Sequence, residues 1–382
     1  MSEEIVSAKG LRLAIFSETY APQVNGVTRT LERLTDVVRE RGGAVRVYTV
    51  SEPGVVEQPH IERYASVPFW AYKELRLAWP STKVVRASLE KFRPTIVHAA
   101  SQFGLGLAGR RVARAMSVPF VTSYHTSLSA YASFYHLGAL ALPGWSFMRW
   151  FHNSGLRTYC PTHAIMREVE EHGFRNTALW SRGVDGERFS PSFRSTALRA
   201  LMGANDDTIV VSYVGRLAAE KGLDVVARAV QIASVRRPGK IVFACVGDGP
   251  YDAEVRRLVP EGSWLPGKLL GQELSEAYAS GDVFLFPSTT DTFGNVMLEA
   301  MASGMPVVGA DVGPTRELLG DSRGWLVAPG NAEAFADRLV ALVDDRSMLN
   351  QARIDALEFA SQSTWNTVWN SLIRDYLRLH KS

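Results

Sequence analysis

Cysteine is scarce in this sequence, with only Cys160 and Cys245 among 382 residues. Each lies in a short apolar run, so we expect two buried thiols, and a reducing cytoplasm fits that usage. No stretch reaches the roughly 18 uninterrupted apolar residues that span a membrane, so any membrane contact is expected to be peripheral. The N-terminal segment MSEEIVSAKG carries early acids and no apolar core, and we therefore expect no secretory signal.

A large excess of one charge is also missing. The formal net charge is +3 and the basic residues are dispersed, which argues against a dedicated nucleic-acid surface but leaves room for a local basic patch. With 46% hydrophobic and 21% charged residues, the chain can bury large cores, and its length predicts two domains. Internal repeats and low-complexity tracts are absent from the sequence as well.

Short apolar runs alternate with amphipathic stretches along the first half of the chain. A helical pattern lies at 28–41, with Leu31, Leu34, Val37 and Val38 on one face. This alternation predicts βαβ units and hence a parallel sheet. The predicted strands are 11–17, 44–50, 94–100 and 118–125.

The pattern breaks at 181–191, where glycine, serine and proline cluster, and then restarts. We expect a first Rossmann-like domain over 1–182 and a second over 183–362, each an α/β doubly wound parallel sheet. Ligands bind at the carboxyl ends of the strands in such sheets, so the two domains are expected to form one cleft. A final helical segment, 363–382, is expected to pack on the first domain. The strands predicted for the second domain are 208–217, 240–249, 282–288 and 306–311.

The sequence GLGLAG at 104–109 has the spacing of a dinucleotide-binding loop. That fold also needs an acid about 20 residues further on, at the end of the next strand, to hold a ribose. The next strand ends in TSYHTSLSA without an acid, so we interpret the glycines as residues that let a helix pack closely. A nucleotide-dependent oxidoreductase is the alternative that this loop leaves open.

Three groups of polar residues follow predicted strands, at the edge where ligands bind. Asn25 and Gly26 precede a helix and offer backbone amides to an anion. His125 ends the fourth strand, where a lone histidine is either structural or a ligand contact. Arg216 and Lys221 lie in the loop after the second domain's first strand, where two cations could clamp a diphosphate. Ordinary solvated loop charges are the alternative for this pair.

A fourth group lies in the stretch DTFGNVMLE. Asp291 is expected at the entrance of a helix, where Phe293, Gly294 and Asn295 leave unpaired amides. Glu299 lies eight residues later, about two turns on and on roughly the same face. A carboxylate in an apolar helix is costly unless it has partners, and two adjacent ribose hydroxyls would supply them. The helix is therefore predicted to hold a sugar and phosphate at its entrance and a nucleoside at its second turn.

Together these motifs resemble the retaining glycosyltransferases of family four. The resemblance rests on GRLAAEKG, the paired acids, EAMASGMPVV and RGVDGERF, and it spans almost the whole chain. It implies the GT-B architecture, with a nucleotide-sugar donor between the two domains and the anomeric configuration retained. It also implies that no metal is required and that there is no cofactor other than the donor itself.

The resemblance further implies a role for each candidate residue. The implied contacts are the diphosphate for Arg216 and Lys221, the ribose for Glu299, the distal phosphate for the amide of Gly26, the donor sugar for His125, and sugar hydroxyls for the amides of Phe293, Gly294 and Asn295. The first acid of the family's motif is usually Glu and here is Asp291. We expect the shorter carboxylate to accept a hydroxyl and to keep activity, while the donor preference stays open.

An aromatic and nearly uncharged tract runs from Leu128 to His152, with Arg149 as its only formal charge. A second segment, 68–81, interleaves aromatic and basic residues. Aromatic residues with cations suit a membrane interface, whereas a buried helix pair and a covered loop are the alternative. The residues predicted to contact an acceptor or a membrane are Trp70, Lys73, Arg76, Trp79 and Tyr131.

Two further stretches, YHTSLSAYASFYHLGAL and LWSRGVDGERFSP, resemble most the family members that glycosylate membrane lipids, namely sulfoquinovosyl- and glucosyl-diacylglycerol synthases and bacterial mannosyltransferases. We therefore expect α-linked transfer from a UDP-sugar, such as UDP-glucose or UDP-glucuronate, to a lipid such as diacylglycerol, by an enzyme docked on the anionic inner face of the cell membrane. No carboxylate is placed as a nucleophile, so front-face departure assisted by the diphosphate is favoured. The alternatives are a GDP-mannose-dependent mannosyltransferase acting on a glycolipid or glycan, and a nucleotide-sugar-binding regulator without turnover.

Overall fold

A computed structural model of the protein describes residues 4–23, 25–52, 55, 57–69, 72–125 and 138–381. The chain divides into two units, Met1–Ser181 together with Asn366–Ser382, and Arg182–Trp365. The C-terminal segment therefore belongs to the same unit as the N-terminus.

Buried parallel strands form the centre of the first unit. The strands are β1 Arg12–Phe16, β2 Ala44–Val50, β3 Ile61–Tyr64, β4 Val67–Phe69, β5 Tyr72–Leu77, β6 Ile96–Ala99, β7 Phe120–Ser123, β8 Arg157–Cys160 and β9 Thr177–Leu179. Seven of them form one sheet in the order β3-β2-β1-β6-β7-β8-β9, and every neighbouring pair is parallel. The other two, β4 and β5, pair as an antiparallel hairpin.

Amphipathic helices cover this sheet. They are α1 Gly26–Glu40, α2 Thr82–Phe92, α3 Gly104–Ala115, α4 Gly138–His152, α5 His163–Glu171 and the C-terminal helix, which is α14 in chain order, Trp365–Lys381. Apolar residues from the strands and from α2, α3 and α4 pack into one core cluster, which includes Phe16, Leu89, Leu105 and Phe151. Burial of these side chains removes apolar area from water and is the main stabilising contribution of the unit.

The second unit repeats the same plan. Its strands are β10 Ile209–Val214, β11 Ile241–Val246, β12 Trp264–Gly267, β13 Val283–Phe286, β14 Val307–Ala310 and β15 Gly324–Val327, in the order β12-β11-β10-β13-β14-β15. Its helices are α6 Thr196–Leu201, α7 Leu223–Arg236, α8 Asp252–Leu258, α9 Gly271–Ser280, α10 Asn295–Ala302, α11 Gly313–Leu319, α12 Ala332–Asp344 and α13 Arg346–Gln362. All neighbouring strands are again parallel. The predicted fold class, two Rossmann-like α/β units, is confirmed.

Each sheet has one point where the chain reverses the direction in which it adds strands. In the first unit this point lies between β1 and β6, because β2 is added on one side and β7 on the other. In the second unit it lies between β10 and β13. Loops that leave the carboxyl ends of such a strand pair diverge and leave a crevice between them, which is where open α/β sheets bind ligands.

The glycines of GLGLAG begin helix α3 and bring it against neighbouring backbone. A Cβ added at Gly104 would lie 2.0 Å from the carbonyl oxygen of Ala78, and one at Gly106 would lie 1.8 Å from that of Ser101. Both distances are far below van der Waals contact, so the interpretation of these glycines as packing residues is confirmed. The first turn of α3 also has an internal partner, because the Leu105 amide donates to a carboxylate oxygen of Glu18 at 2.7 Å.

The C-terminal helix α14 packs on the sheet of the first unit. Its buried Tyr376 contacts His98 of β6, with the hydroxyl 2.7 Å from Nδ1. The neighbouring Asp375 accepts a hydrogen bond from the Tyr159 hydroxyl at 2.7 Å. Asn370 connects the helix to the N-terminal segment, since its Oδ1 accepts from the amide of Val6 at 3.0 Å.

Both cysteines are buried free thiols, as predicted. Burial raises the pKa of each, Cys160 and Cys245, to about 12, so neither is a ready nucleophile at neutral pH. Within the described segments, none of the helices combines the length and the apolar character that crossing a bilayer needs.

Candidate functional site

The strand pair β10 and β13 of the second unit brings two predicted motifs together. The loop after β10 carries Arg216 and continues into a 3₁₀ turn, Ala219–Lys221. The loop after β13 carries Asp291 and leads into α10. Both loops leave neighbouring strands at the reversal point of the sheet, so residues 70 positions apart in sequence meet here.

Lys221 and Asp291 form a direct ion pair. The Nζ of Lys221 lies 2.8 Å from both carboxylate oxygens of Asp291. Their side chains are 20% and 27% exposed, so the pair is partly shielded from water. From the sequence, Lys221 was expected to contact a diphosphate and Asp291 a sugar hydroxyl, and nothing in the sequence indicated that the two side chains touch.

The backbone around Arg216 is held by the buried tyrosine at the end of β10. The Tyr213 hydroxyl donates to the Arg216 carbonyl oxygen at 3.1 Å. Burial, and next the charge of Asp291, raises the pKa of Tyr213 well above its ordinary value, so the hydroxyl stays protonated and remains a donor. The amide of Leu217 also donates to the Asp248 carbonyl at 2.7 Å. Both bonds hold the peptide group between Arg216 and Leu217, so the backbone on the carboxyl side of Arg216 is fixed.

Helix α10 begins later than the sequence predicted. Gly294 precedes it with φ 82°, a left-handed conformation that other residues rarely adopt, and supplies no side-chain cap. Asp291 thus lies four positions before the first helical residue, Asn295, and is not at the helix entrance as expected. Phe293 and Gly294 also lie outside the helix, so only the amide of Asn295 belongs to its first turn.

Glu299 occupies the second turn of α10, where it is half-buried. Its Oε2 accepts a hydrogen bond of 2.8 Å from the hydroxyl of Tyr278, a buried residue of α9. Near the start of the same helix, the Oδ1 of Asn295 is buried and has no hydrogen-bond partner among the residues described. An unsatisfied buried acceptor costs free energy, which a hydroxyl donor at this position would recover.

The remaining predicted site residues, Gly26 and His125, belong to the first unit. Helix α1 starts at Gly26, and the side chain of Asn25 caps it by accepting from the Thr28 amide at 2.9 Å. His125 follows β7, and its Nε2 lies 2.7 Å from the Ser123 hydroxyl. The ring meets Trp180 edge-on, with 5.5 Å between ring centroids.

Sequence reasoning missed Glu18, which follows β1 at the reversal point of the first sheet. Its side chain is fully buried and accepts from the Leu105 amide and from the Ser101 hydroxyl. Desolvation by burial raises the pKa of Glu18 to about 7, and these two hydrogen bonds oppose the shift only in part. The signal available in the sequence was an acid directly after an apolar strand, with no basic residue nearby in SETYAPQVNG.

Comparison with known proteins assigns the family. The family model described as Glycosyltransferase Family 4 matches residues 24–188, and the one described as Glycosyl transferases group 1 matches 208–345. A GDP-mannose-dependent alpha-mannosyltransferase of Mycobacterium tuberculosis is 33% identical over 376 residues, which cover 96% of this chain and 96% of that protein. The chain belongs to the glycosyltransferase family that these two models describe.

Other relatives agree on the family and on the fold. The sulfoquinovosyl transferase SQD2 of Arabidopsis thaliana is 33% identical over 355 residues, covering 89% of this glycosyltransferase and 68% of SQD2. The structure of a sucrose-phosphate synthase from Thermosynechococcus elongatus has a TM-score of 0.80 at 19% identity, covering 97% and 99% of the two chains. The predictions of a GT-B fold and of an enzyme that uses a nucleotide sugar are confirmed.

The residues predicted to contact an acceptor or a membrane differ in whether the structure describes them and in how exposed they are. Trp70 and Tyr131 lie outside the described residues, as does the side chain of Lys73. Arg76 donates from Nε and Nη2 to the hydroxyl and carbonyl of Ser66, at 2.9 and 2.8 Å, and so braces the β4-β5 hairpin. Trp79 is 66% exposed.

Of the aromatic tract from Leu128 to His152, residues 128–137 lie outside the described part of the chain, and the tryptophan and phenylalanine side chains after them divide between core and surface. In α4, Trp145, Met148 and Phe151 are buried, so the alternative of a buried helix describes that face. Phe147 and Trp150 remain 37% and 49% exposed. The guanidinium of Arg110 lies 4.1 Å from the ring centroid of Trp150, close enough for a cation–π interaction.

The burial of Glu18 predicts a pH-dependent stability. Its pKa is higher in the folded protein than the ordinary value of 4.5, so its contribution to stability is full below pH 4.5 and is lost as the pH rises through about 7. The Glu18→Gln variant should therefore gain stability relative to the parent between pH 4.5 and 8, by on the order of 3 kcal/mol. Urea unfolding at several pH values measures the difference, with the exposed Glu90→Gln as the control. Parallel pH profiles for parent and Glu18→Gln would contradict the assignment.

Proposed function

We propose that this glycosyltransferase moves a hexose from a nucleoside-diphosphate sugar to a lipid-anchored acceptor, with retention of configuration and without a metal. The observation that carries the proposal is the placement of Arg216, Lys221 and Glu299 around one reversal point of the second sheet. Two cations in the loop after β10 and one carboxylate on the helix that follows β13 match the parts of such a donor, a diphosphate and a ribose.

Lys221 and Arg216 bind the diphosphate in this proposal. Because Asp291 already neutralises Lys221, an arriving diphosphate competes with that carboxylate for the ammonium group. Released from Lys221, Asp291 can accept a hydrogen bond from a sugar hydroxyl, so one exchange of partners serves both ends of the donor. The cations then stabilise the charge that grows on the diphosphate as the glycosidic bond breaks, which suits front-face departure.

Glu299 holds the ribose in this proposal. The Tyr278 hydroxyl fixes the orientation of the carboxylate through Oε2, which reduces the conformational freedom that binding must otherwise remove. The buried Oδ1 of Asn295 offers an acceptor for a sugar hydroxyl nearby on the same helix. In the first unit, the amide of Gly26 contacts the distal phosphate, and His125 contacts the sugar.

Two donor classes are supported by different observations. A UDP-sugar follows from the sequence resemblance to lipid glycosyltransferases. GDP-mannose is supported by the end-to-end similarity to the Mycobacterium tuberculosis enzyme, which is GDP-mannose-dependent by its name. A lipid acceptor is supported by similarity over 78% of this chain to a protein named alpha-monoglucosyldiacylglycerol synthase, from Streptococcus pneumoniae.

A thermal-shift panel of nucleotide sugars tests the proposed function. A donor that binds the folded state raises the unfolding temperature in proportion to the logarithm of one plus its concentration over its Kd. We expect either UDP-sugars or GDP-mannose to stabilise the protein selectively, and the same donor to be slowly hydrolysed. Binding without hydrolysis or transfer would favour a regulator, and failure of every nucleotide sugar to bind would contradict the proposal.

Glu299→Ala and Lys221→Ala should separate ground-state binding from catalysis. Loss of a charged acceptor for the ribose should raise the donor KM by roughly 10- to 100-fold. Loss of Lys221 should instead lower kcat by roughly 100-fold or more, because leaving-group charge is largest in the transition state. Steady-state kinetics measures both, with Lys240→Ala, an exposed lysine paired with Asp207, as the control. Unchanged donor KM in a folded Glu299→Ala would refute the ribose contact.

Contact with an anionic membrane is a further part of the proposal, and it would place the enzyme on the inner face of the cell membrane. A groove of about 440 Å³ beside Trp150 is lined by Arg110, Arg149 and Arg175. In the described part of the chain, none of these arginines forms an ion pair. An exposed tryptophan beside arginines that form no ion pair in the described part of the chain suits an interface of anionic headgroups and acyl chains. Trp79 also lies beside α3, since its ring is 3.0 Å from a Cβ built on Gly104.

Replacing Trp79 and Trp150 by serine should weaken membrane binding and spare the donor site. The loss of two interfacial side chains should lower co-sedimentation with phosphatidylglycerol vesicles by roughly tenfold or more. Transfer to lipid should fall in parallel, while slow donor hydrolysis persists. Leu201→Ser with Leu270→Ser, which removes two exposed apolar side chains of the second unit, is the matched control. Normal vesicle binding by the folded tryptophan variant would place the docking surface elsewhere.

A further inference from the structure

A chain of four side chains runs through the first unit from the C-terminal helix to His125. The Tyr376 hydroxyl lies 2.7 Å from Nδ1 of His98, and Nε2 of His98 lies 2.8 Å from the Ser123 hydroxyl. The same hydroxyl lies 2.7 Å from Nε2 of His125. Tyr376, His98 and Ser123 are all buried, so each hydrogen in the chain needs a partner within the protein.

The first link of this chain fixes its direction. Among the described residues, the only hydrogen-bond partner of the Tyr376 hydroxyl is His98. The nearby carboxylate of Asp375 is occupied by Tyr159, whose hydroxyl donates to it at 2.7 Å. The Tyr376 hydrogen must therefore point to Nδ1 of His98, because any other direction leaves it buried without an acceptor.

The remaining links follow from the first. Because Nδ1 of His98 accepts, its single hydrogen is on Nε2, and it donates to the Ser123 oxygen. The neutral form is also the one that burial favours, since desolvation lowers the pKa of His98 to about 3. The buried Ser123 hydroxyl also needs an acceptor for its own hydrogen, and its other hydrogen-bond neighbour among the described residues is Nε2 of His125, which therefore accepts.

We propose that Tyr376, His98 and Ser123 form a positioning relay that holds neutral His125 in the tautomer with the hydrogen on Nδ1. The relay uses Nε2 of His125 as an acceptor inside the protein and keeps the ring hydrogen on Nδ1. Aromatic rings enclose it, with Trp180 at 5.6 Å and Tyr159 at 5.9 Å from the His98 ring centroid, so water has little access to the links.

The consequence for transfer depends on the proposed function. If His125 contacts the donor sugar, a fixed Nδ1–H selects a hydroxyl oxygen as an acceptor and fixes the sugar's orientation. Tyr376, His98 and Ser123 would then influence turnover without touching either substrate. The C-terminal helix, which carries Tyr376, would then help to position a sugar contact as well as cover the sheet.

The tautomer of His125 can be measured without any sugar nucleotide. NMR of protein labelled with ¹³C,¹⁵N-histidine reports which ring nitrogen carries the hydrogen, and a His125→Gln variant assigns the signal. We expect Nδ1–H in the parent, and a mixture with Nε2–H in Tyr376→Phe and in Ser123→Ala. Tyr48→Phe is the matched control, because it removes a buried tyrosine hydroxyl of the same unit that bonds Ser88 and lies outside the relay.

Kinetics gives the second measurement. With the nucleotide sugar that the thermal-shift panel identifies as the donor, Tyr376→Phe and Ser123→Ala should lower kcat roughly three- to tenfold. Tyr48→Phe should leave kcat unchanged. The relay is overturned if His125 of the parent carries its hydrogen on Nε2. It is also overturned if the variants that fold keep the tautomer of the parent. A changed tautomer with unchanged kcat would preserve the relay and refute the role of His125 in transfer, whereas a parent that turns over no donor refutes the proposed function alone.

Discussion

The first amides of a helix need hydrogen-bond acceptors from outside the helix, and the strand-end regions of both units depend on how this need is met. At the carboxyl edge of a parallel sheet many helices begin side by side, and each must find acceptors for its first amides. In the first unit, the Asn25 side chain accepts from one amide of α1, and the buried Glu18 accepts from one amide of α3. In the second unit, α7 and α10 follow Gly222 and Gly294, and neither glycine provides a side-chain cap. The first turns of these two helices are therefore left without a side-chain acceptor.

Much of the fold could be predicted from hydrophobic periodicity alone, because parallel strands and their covering helices impose different spacings on apolar residues. The two sheets and the break between their patterns were accessible in this way. The start of α10 was not, because the left-handed conformation of Gly294, where an added Cβ would lie 2.6 Å from Met297 and 3.0 Å from Phe286, leaves no trace in the hydrophobic pattern. An acid before a helix normally predicts a cap, and here tertiary packing overrides that preference.

The residue types of the candidate site were likewise legible, but their pairings were not. Motif spacing placed Lys221 in a loop after a strand, Asp291 before a helix and Glu299 two turns into that helix, yet their contacts link elements far apart in sequence. The aromatic tract shows the same limit, since composition does not separate a core face from a surface face. Spacing did contain that information for α4, where the buried Trp145, Met148 and Phe151 recur every three residues and the exposed Phe147 and Trp150 lie between them.

The return of α14 to the first unit makes that unit discontinuous along the chain. A fragment ending at Ser181 would leave the apolar surface around Trp180 and His98 in water, and so would be expected to aggregate. Connectivity suggests a remedy, because Asn370 bonds the backbone at Glu4 and Val6 and thus brings α14 close to the N-terminal segment. A circularly permuted gene, in which α14 is encoded ahead of residue 4 through a flexible linker, would restore the missing helix and allow the first unit to be made on its own.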